Sequence, residues 1–392
     1  MRILHCISSM NPAGGGPVEA LKQLSGAYEA SGCTVHVATL DEPSAPWIKD
    51  AGLPVFALGP RYLGKWGYAP AYRGWIKSNA SRYDLIVIDG IWQYHSFGAW
   101  SALKGTGVPY VVFTHGMLDP WFKRRYPLKH FRKWMFWPWA DYRVLRDAKA
   151  VLFTCEEERR LARRSFWLYK ARGVVVPFGT SMPPGEHDLQ KALFLERFPG
   201  LKKKRVLLFL GRIHEKKGVE MLIRAFAAHA ESMRENSVAL VIAGPDDGDY
   251  AVRMKALARE LGVADQILWT GMLRDKLKWG AFRVSDAFIL PSFQENFGIA
   301  VAEAAACGVP VLISDQVNIW REIEEADAGF VAPATIAGTE RLLSNWLKAP
   351  SDEMGRKRVN AHKCFLENFL IDRLPSRLIA LLHQSDARCK AL

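Results

Sequence analysis

Two clusters of charge in this 392-residue chain have the types and spacing to handle a phosphorylated ligand. The first is Gly211-Arg212-Ile213-His214-Glu215-Lys216-Lys217-Gly218, directly after an apolar run. The Arg212 guanidinium is a planar fork that matches phosphate oxygens, and Lys217 adds a compact charge. Together they would neutralise a diphosphate and stabilise it as it departs. A solvated run of charge is the plainer reading of the same residues. The second cluster is Glu295-Asn296-Phe297-Gly298-Ile299-Ala300-Val301-Ala302-Glu303. A helix is predicted over 297–306, with Gly308 as its C-terminal cap and Pro310 preventing continuation. Eight helical residues would separate the two carboxylates by ~12 Å. The N–H groups of Phe297, Gly298 and Ile299 would lie between them, placed to meet phosphates. Carboxylates accept from sugar hydroxyls. Acids collect at helix starts in any protein, so the pair alone decides little. Two carboxylates would also serve glycoside hydrolysis, though a hydrolase has no need of adjacent phosphate-binding groups.

A third segment, Asn11-Pro12-Ala13-Gly14-Gly15-Gly16-Pro17, follows the first apolar run and precedes a helical pattern. Its glycines allow close backbone approach to a ligand, and a helix start favours an anion. It also reads as a tight strand-to-helix turn. It is not G-x-G-x-x-G, and no acid is well placed about 20 residues on, so a nicotinamide dinucleotide is not expected.

Positioning these loops requires a scaffold, and the sequence supplies two. Strands are predicted at 3–7, 35–38, 85–88, 110–113, 151–154 and 174–176, with helix-length segments such as 18–29 between them. The pattern restarts at 206–210, 238–243, 267–269, 287–290 and 309–313. Apolar strands alternating with helices imply parallel, doubly wound α/β sheets covered on both faces. Two facing Rossmann-like domains with an interdomain cleft are expected, since ligands bind outside the carboxyl ends of such strands. The domains are read as 1–178 and 179–365, parted where Pro177, Gly179, Pro183, Pro184 and Gly185 cluster. A tail over 366–392, part of a helical pattern at 361–384 broken at Pro375, is expected to pack back on the first domain.

Net charge is +13 and uneven: residues 1–178 hold 24 Lys+Arg against 13 Asp+Glu (+11), the remainder 29 against 27 (+2). A basic first half implies an anionic partner. The six cysteines form no C-x-x-C pair and suit buried thiols in a reducing compartment, with no metal site. No run of 18 apolar residues occurs, so no membrane-spanning helix is expected. The expected location is the cytoplasm, with peripheral contact on the inner membrane face.

The two charged motifs, in this order and about 80 residues apart, resemble glycosyltransferase family 4. The resemblance covers nearly the whole chain and is strongest from about 205 to 335. It implies the GT-B arrangement of two Rossmann-like domains, transfer from a nucleotide-diphosphate sugar with retention of configuration, and no required cofactor or divalent metal. It implies that Arg212 and Lys217 bind the donor diphosphate, Glu303 the ribose hydroxyls and Glu295 the transferred hexose. Backbone at Phe297 and Gly298 would support phosphates and sugar. Gly15 and Gly16 match the family's glycine loop, and His115, in Phe113-Thr114-His115-Gly116, matches a histidine near the sugar. His115 also reads as an ordinary loop histidine. The implied chemistry is front-face displacement, in which the departing phosphate helps deprotonate the acceptor, so no covalent nucleophile is assigned.

Several features lie outside these motifs. Over 121–146, aromatic residues such as Trp121, Phe131, Trp134 and Trp139 interleave with Lys123, Arg124, Arg125, Lys129, Arg132 and Lys133. That suits an anionic membrane interface or a lipid-linked acceptor. It equally suits helices packing their rings into the first domain. No nucleic-acid module is recognisable, and nucleic acid is not an expected partner. Trp92 and Asp119 follow predicted strand ends and are acceptor-side candidates. Asp247-Gly248-Asp249 reads as a polar turn rather than a metal motif. Base recognition would use backbone near 271–273. The reading is a UDP- or GDP-sugar hexosyltransferase acting on a saccharide or lipid-linked acceptor. A nucleotide-sugar 2-epimerase on the same scaffold and a non-catalytic sugar-nucleotide-binding protein remain as alternatives.

Overall fold

The central strands are apolar on both faces because helices cover both faces. The computed structural model describes residues 1–12, 16–125, 127–176, 179–246 and 248–383. In the first sheet, β1 (Arg2–Ile7), β4 (Leu85–Asp89), β5 (Tyr110–Phe113) and β6 (Ala150–Phe153) are buried almost throughout. They are flanked by β2 (Thr34–Thr39), β3 (Val55–Ala57) and β7 (Gly173–Val175) in the order β3-β2-β1-β4-β5-β6-β7. Every pairing is parallel. The second sheet runs β10-β9-β8-β11-β12-β13, also parallel. Its strands are β8 (Arg205–Leu210), β9 (Val238–Ala243), β10 (Ile267–Gly271), β11 (Ala287–Leu290), β12 (Val311–Ser314) and β13 (Gly329–Ala332). Both are doubly wound Rossmann-like α/β sheets. Strand order reverses between β1 and β4 in one and between β8 and β11 in the other.

The sequence reading passed over β3 and β13. Both are short edge strands and mostly half-buried, so neither shows a fully apolar run. The predicted 309–313 strand begins instead at Val311, because Pro310 has no N–H to place in the ladder. Its carbonyl still accepts from the Phe288 N–H at 2.9 Å.

The chain divides into two units: Met1–Gly179 together with the segment from Ile371, and Thr180–Leu370. The predicted helix over 361–384 is interrupted earlier than expected. Helix Ser351–Cys364 passes into a π-helical turn, Phe365–Phe369, and a 3-10 turn, Ile371–Arg373. A new helix, Leu374–His383, then carries Pro375 at its second position, where a missing N–H costs nothing. This final segment packs on helix Gly16–Ala30, and Lys149 Nζ donates to the Leu382 carbonyl at 2.8 Å. No described helix is long and apolar enough to cross a membrane.

Candidate functional site

In the second unit, the loops leaving β8 and β11 flank the reversal of strand order, where an open parallel sheet forms its ligand crevice. These loops are the two charged motifs. The Phe293 N–H donates to the Lys216 carbonyl at 2.9 Å. Lys217 Nζ forms an ion pair with the Glu295 carboxylate, both half-buried. Gly218 sits at φ +71°, and a Cβ there would collide with the Pro291 carbonyl oxygen. The absence of a side chain is what lets the two loops meet. Glu295 is fixed by its backbone, which donates to Gln316 O at 2.9 Å and accepts from Asn318 N at 3.0 Å. Arg212 is exposed on the β8 loop.

The helix after Glu295 starts later than predicted. It spans Ile299–Ala306, with Gly298 as N-cap at φ +76°. Left-handed backbone there ends the loop, so the first-turn N–H groups belong to Gly298, Ile299 and Ala300 rather than to Phe297. The Phe297 ring is buried and meets Phe369 edge-on at 5.6 Å, leaving only its backbone for a ligand. The straight helical spacing of ~12 Å between the carboxylates therefore does not apply. Glu303 lies within the helix, 3% exposed, and accepts from Lys278 Nζ at 2.5 Å. Lys278, on helix Asp275–Val284, carried no sequence signal, because only the fold brings it to Glu303. Asp246, before the described part of the acidic turn, pairs with Lys255 at 2.6 Å. Asp249 begins helix Asp249–Glu260, and Asp247 lies outside the described residues.

The first unit presents a different arrangement. Asp89, the last residue of β4, is buried and held on both oxygens: by His5 Nδ1 at 2.7 Å and by His115 Nε2 at 3.1 Å. Burial works against its charge, but His5 and His115 outweigh it and hold the carboxyl below the usual range. His5 continues to the Tyr28 hydroxyl at 3.3 Å, on the helix that follows the glycine loop. His95 Nε2 reaches the Asp89 carbonyl at 2.9 Å, and burial pushes this histidine down to about 4. His115 has φ +47°, a left-handed backbone that non-glycine residues seldom adopt. Asp89 and His5 were not singled out from sequence. An acid closing the apolar strand Leu-Ile-Val-Ile-Asp was the available signal. Gly16 opens helix Gly16–Ala30, while Gly15 lies outside the described residues.

Trp92 and Asp119, separate in sequence, line one cavity of about 60 Å³ beyond the ends of β4 and β5. Trp92 is held at φ +77°. Its N–H donates to Asp141 Oδ1 at 3.0 Å, and its indole N–H donates to the Met117 carbonyl at 3.2 Å. Burial pushes the Asp141 carboxyl up to about 6. Asp119 accepts from the Trp121 N–H at 2.8 Å. Ser165, also in the lining, donates to the Leu118 carbonyl.

The 121–146 segment forms helices Trp121–Arg125, Pro127–Phe136 and Asp141–Arg146. Packing of its rings into the core holds for Trp137, which is 0% exposed and stacked on Phe166 at 4.1 Å. It fails for Phe131, Phe136 and Trp139, each at least 60% exposed, and Leu128 is exposed beside them. Helix Pro127–Phe136 buries none of its residues.

Comparison with known proteins joins the two halves. The family described as "Glycosyl transferase 4-like domain" matches residues 15–179, and "Glycosyl transferases group 1" matches residues 194–362. The chain belongs to glycosyltransferase family 4. A D-inositol 3-phosphate glycosyltransferase of Thermomonospora curvata is 33% identical over 129 residues, 32% of this chain and 30% of that protein. The chain spans about a third of the length of the curated relatives it matches. Sucrose-phosphate synthase from Thermosynechococcus elongatus superposes with a TM-score of 0.74 at 19% identity, covering 98% of this chain and 99% of that one. An Anabaena protein, HepE, in complex with UDP and glucose gives 0.74 at 17% identity, over 98% and 100%. These likenesses show that the family 4 member shares the GT-B fold.

Proposed function

We propose that this family 4 member transfers a hexose from a UDP- or GDP-sugar to a saccharide or lipid-linked acceptor, with retention at the anomeric carbon. The carrying observation is the pairing of Lys217 with Glu295 where the second sheet reverses its strand order. Here each charge neutralises the other. A donor diphosphate would draw Lys217, with Arg212, onto its oxygens. That releases Glu295 to accept from hexose hydroxyls. Glu303 makes the same exchange, leaving Lys278 for the ribose hydroxyls. First-turn N–H groups from Gly298 onward support the phosphates. In the first unit, Asp89 fixes the orientation of the His115 ring.

The reaction breaks the bond between the anomeric carbon and the β-phosphate oxygen. The acceptor hydroxyl oxygen bonds to that carbon on the same face, and its proton passes to the departing phosphate. Arg212 and Lys217 stabilise the charge that develops. They supply what a divalent metal would otherwise supply, so turnover is expected to survive EDTA. The HepE complex with UDP and glucose supports a uridine donor. The exposed rings of helix Pro127–Phe136, among lysines and arginines, support contact with an anionic membrane surface, as for a peripheral enzyme on the cytoplasmic face.

The test is a thermal-shift and nucleotide-release screen across UDP-, GDP-, ADP- and dTDP-sugars. A ligand that binds only the folded state raises its stability. Stabilisation by one donor with slow release of its nucleotide is the expected result. Sugar interconversion without nucleotide release would indicate an epimerase instead, and silence across the panel would defeat the transferase reading.

A further inference from the structure

The first unit's cavity is the strongest candidate for a site that the donor-binding residues do not explain. Three of its lining residues, Lys129, His130 and Lys133, come from helix Pro127–Phe136. They occupy positions i, i+1 and i+4, so Lys129 and Lys133 lie on one helical face. Like charges at that spacing repel one another, and a bound anion relieves the repulsion. Lys133 is partly withdrawn from water and lies 4.4 Å from the centre of the Trp92 ring. His130 stacks on Phe166 at 4.7 Å. Both basic side chains are thus held by aromatic surfaces.

Three further charges bound the chemistry. Asp119 is a carboxylate in the lining, occupied by the Trp121 N–H. Asp141 acts on Lys133 while accepting from the Trp92 N–H. Lys123 adds positive charge near His130. The local balance favours an anion beside the helix. At about 60 Å³ the cavity holds roughly four water-sized groups, enough for a phosphate. The strained Trp92 backbone at φ +77° fixes the wall between the basic residues and the sheet edge.

We propose that this cavity binds a phosphate group of the acceptor, gripped by Lys129, His130 and Lys133 and walled by Trp92 and Phe166. As an acceptor subsite it rests on the transferase reading; as a phosphate site it does not. The other side of the same helix carries exposed Leu128 and Phe131. The favoured source is therefore a lipid phosphate, with its apolar portion against that ridge and its head in the cavity.

Methyl phosphate is the soluble probe and phosphatidic acid in phosphatidylcholine vesicles the lipid probe. Both are titrated into the full chain carrying Arg212→Ala and Lys217→Ala, which removes the second unit's competing phosphate grip. Adding Lys129→Ala and Lys133→Ala is expected to weaken binding at least tenfold. Lys129→Arg and Lys133→Arg should retain it, so a misfolded alanine variant does not end the test. Preference for phosphatidic acid over pure phosphatidylcholine, lost with the lysines, assigns a lipid source; binding of methyl phosphate alone assigns a soluble one. Binding of both probes that ignores the alanine pair, or no binding of either, overturns the site. The nucleotide-sugar screen separates the two readings. Phosphate binding through these lysines with no donor stabilisation would defeat the transferase while keeping the site, and the reverse would defeat the site alone.

Discussion

Asp89 in the first unit and Glu295 in the second stand at matching places, yet they are held in opposite ways. Each sits at or past the carboxyl end of the strand just beyond its sheet's order reversal. Asp89 is buried, closes β4 itself and is braced by two histidines from β1 and the loop after β5. Glu295 lies five residues beyond β11, half-buried, and holds one lysine. A carboxylate locked from both sides serves to orient a neighbour. A carboxylate paired to a single ammonium can exchange that partner for a ligand. Under the proposed function, the first edge is a frame and the second an exchangeable grip.

If the first edge is a packed frame, its greatest vulnerability is packing. Trp137→Ala should cost ~3–5 kcal/mol of stability, read from denaturant unfolding; a loss below ~1 kcal/mol would break the contrast. On the second edge the effect should appear in turnover instead. Lys217→Ala is expected to slow transfer by about 10²–10³-fold, the scale for losing one preorganised charge contact, with little change in melting temperature. Equal losses of stability at both sites would mean that the grip is also structural.

Asp89→Asn sharpens the comparison through pH. Because the Asp89 carboxyl is held low in the fold, its charge stabilises the protein fully above the unfolded value of about 4. That contribution is lost as pH falls towards the lowered folded value. The melting-temperature gap between wild type and Asp89→Asn should therefore be constant above about pH 5 and narrow below about pH 4. Narrowing between pH 7 and pH 5 would contradict the assignment. The smallest effect on stability is expected at Phe136→Ser, within ~0.5 kcal/mol, since the ring is exposed. Its binding to anionic vesicles should nevertheless fall.

Legibility in the sequence followed the same contrast. The second unit's grip is built from two short loops, so its residues sit in contiguous motifs that spacing alone could pair. The central strands were equally readable, being apolar on both faces. What escaped was assembled from single residues far apart. His5 and Asp89 come from separate strands and meet the predicted His115 only in the fold, and Lys278 meets Glu303 only through helix packing. The slip at Phe297 has a local cause, since Gly298 in left-handed backbone delays the helix. Pro375 misled for a related reason: the same residue that breaks a helix interior is welcome in its first turn.

The return of the chain to its first unit at Ile371 fixes an order of events during synthesis. A ribosome delivers all of Thr180–Leu370 before it delivers the helix that covers Gly16–Ala30. The second unit can thus fold as a complete body while the first still waits with an apolar helix face open to water. Until that helix emerges, the nascent protein holds a finished second unit and an unfinished first, and that interval is when a chaperone would have most to protect.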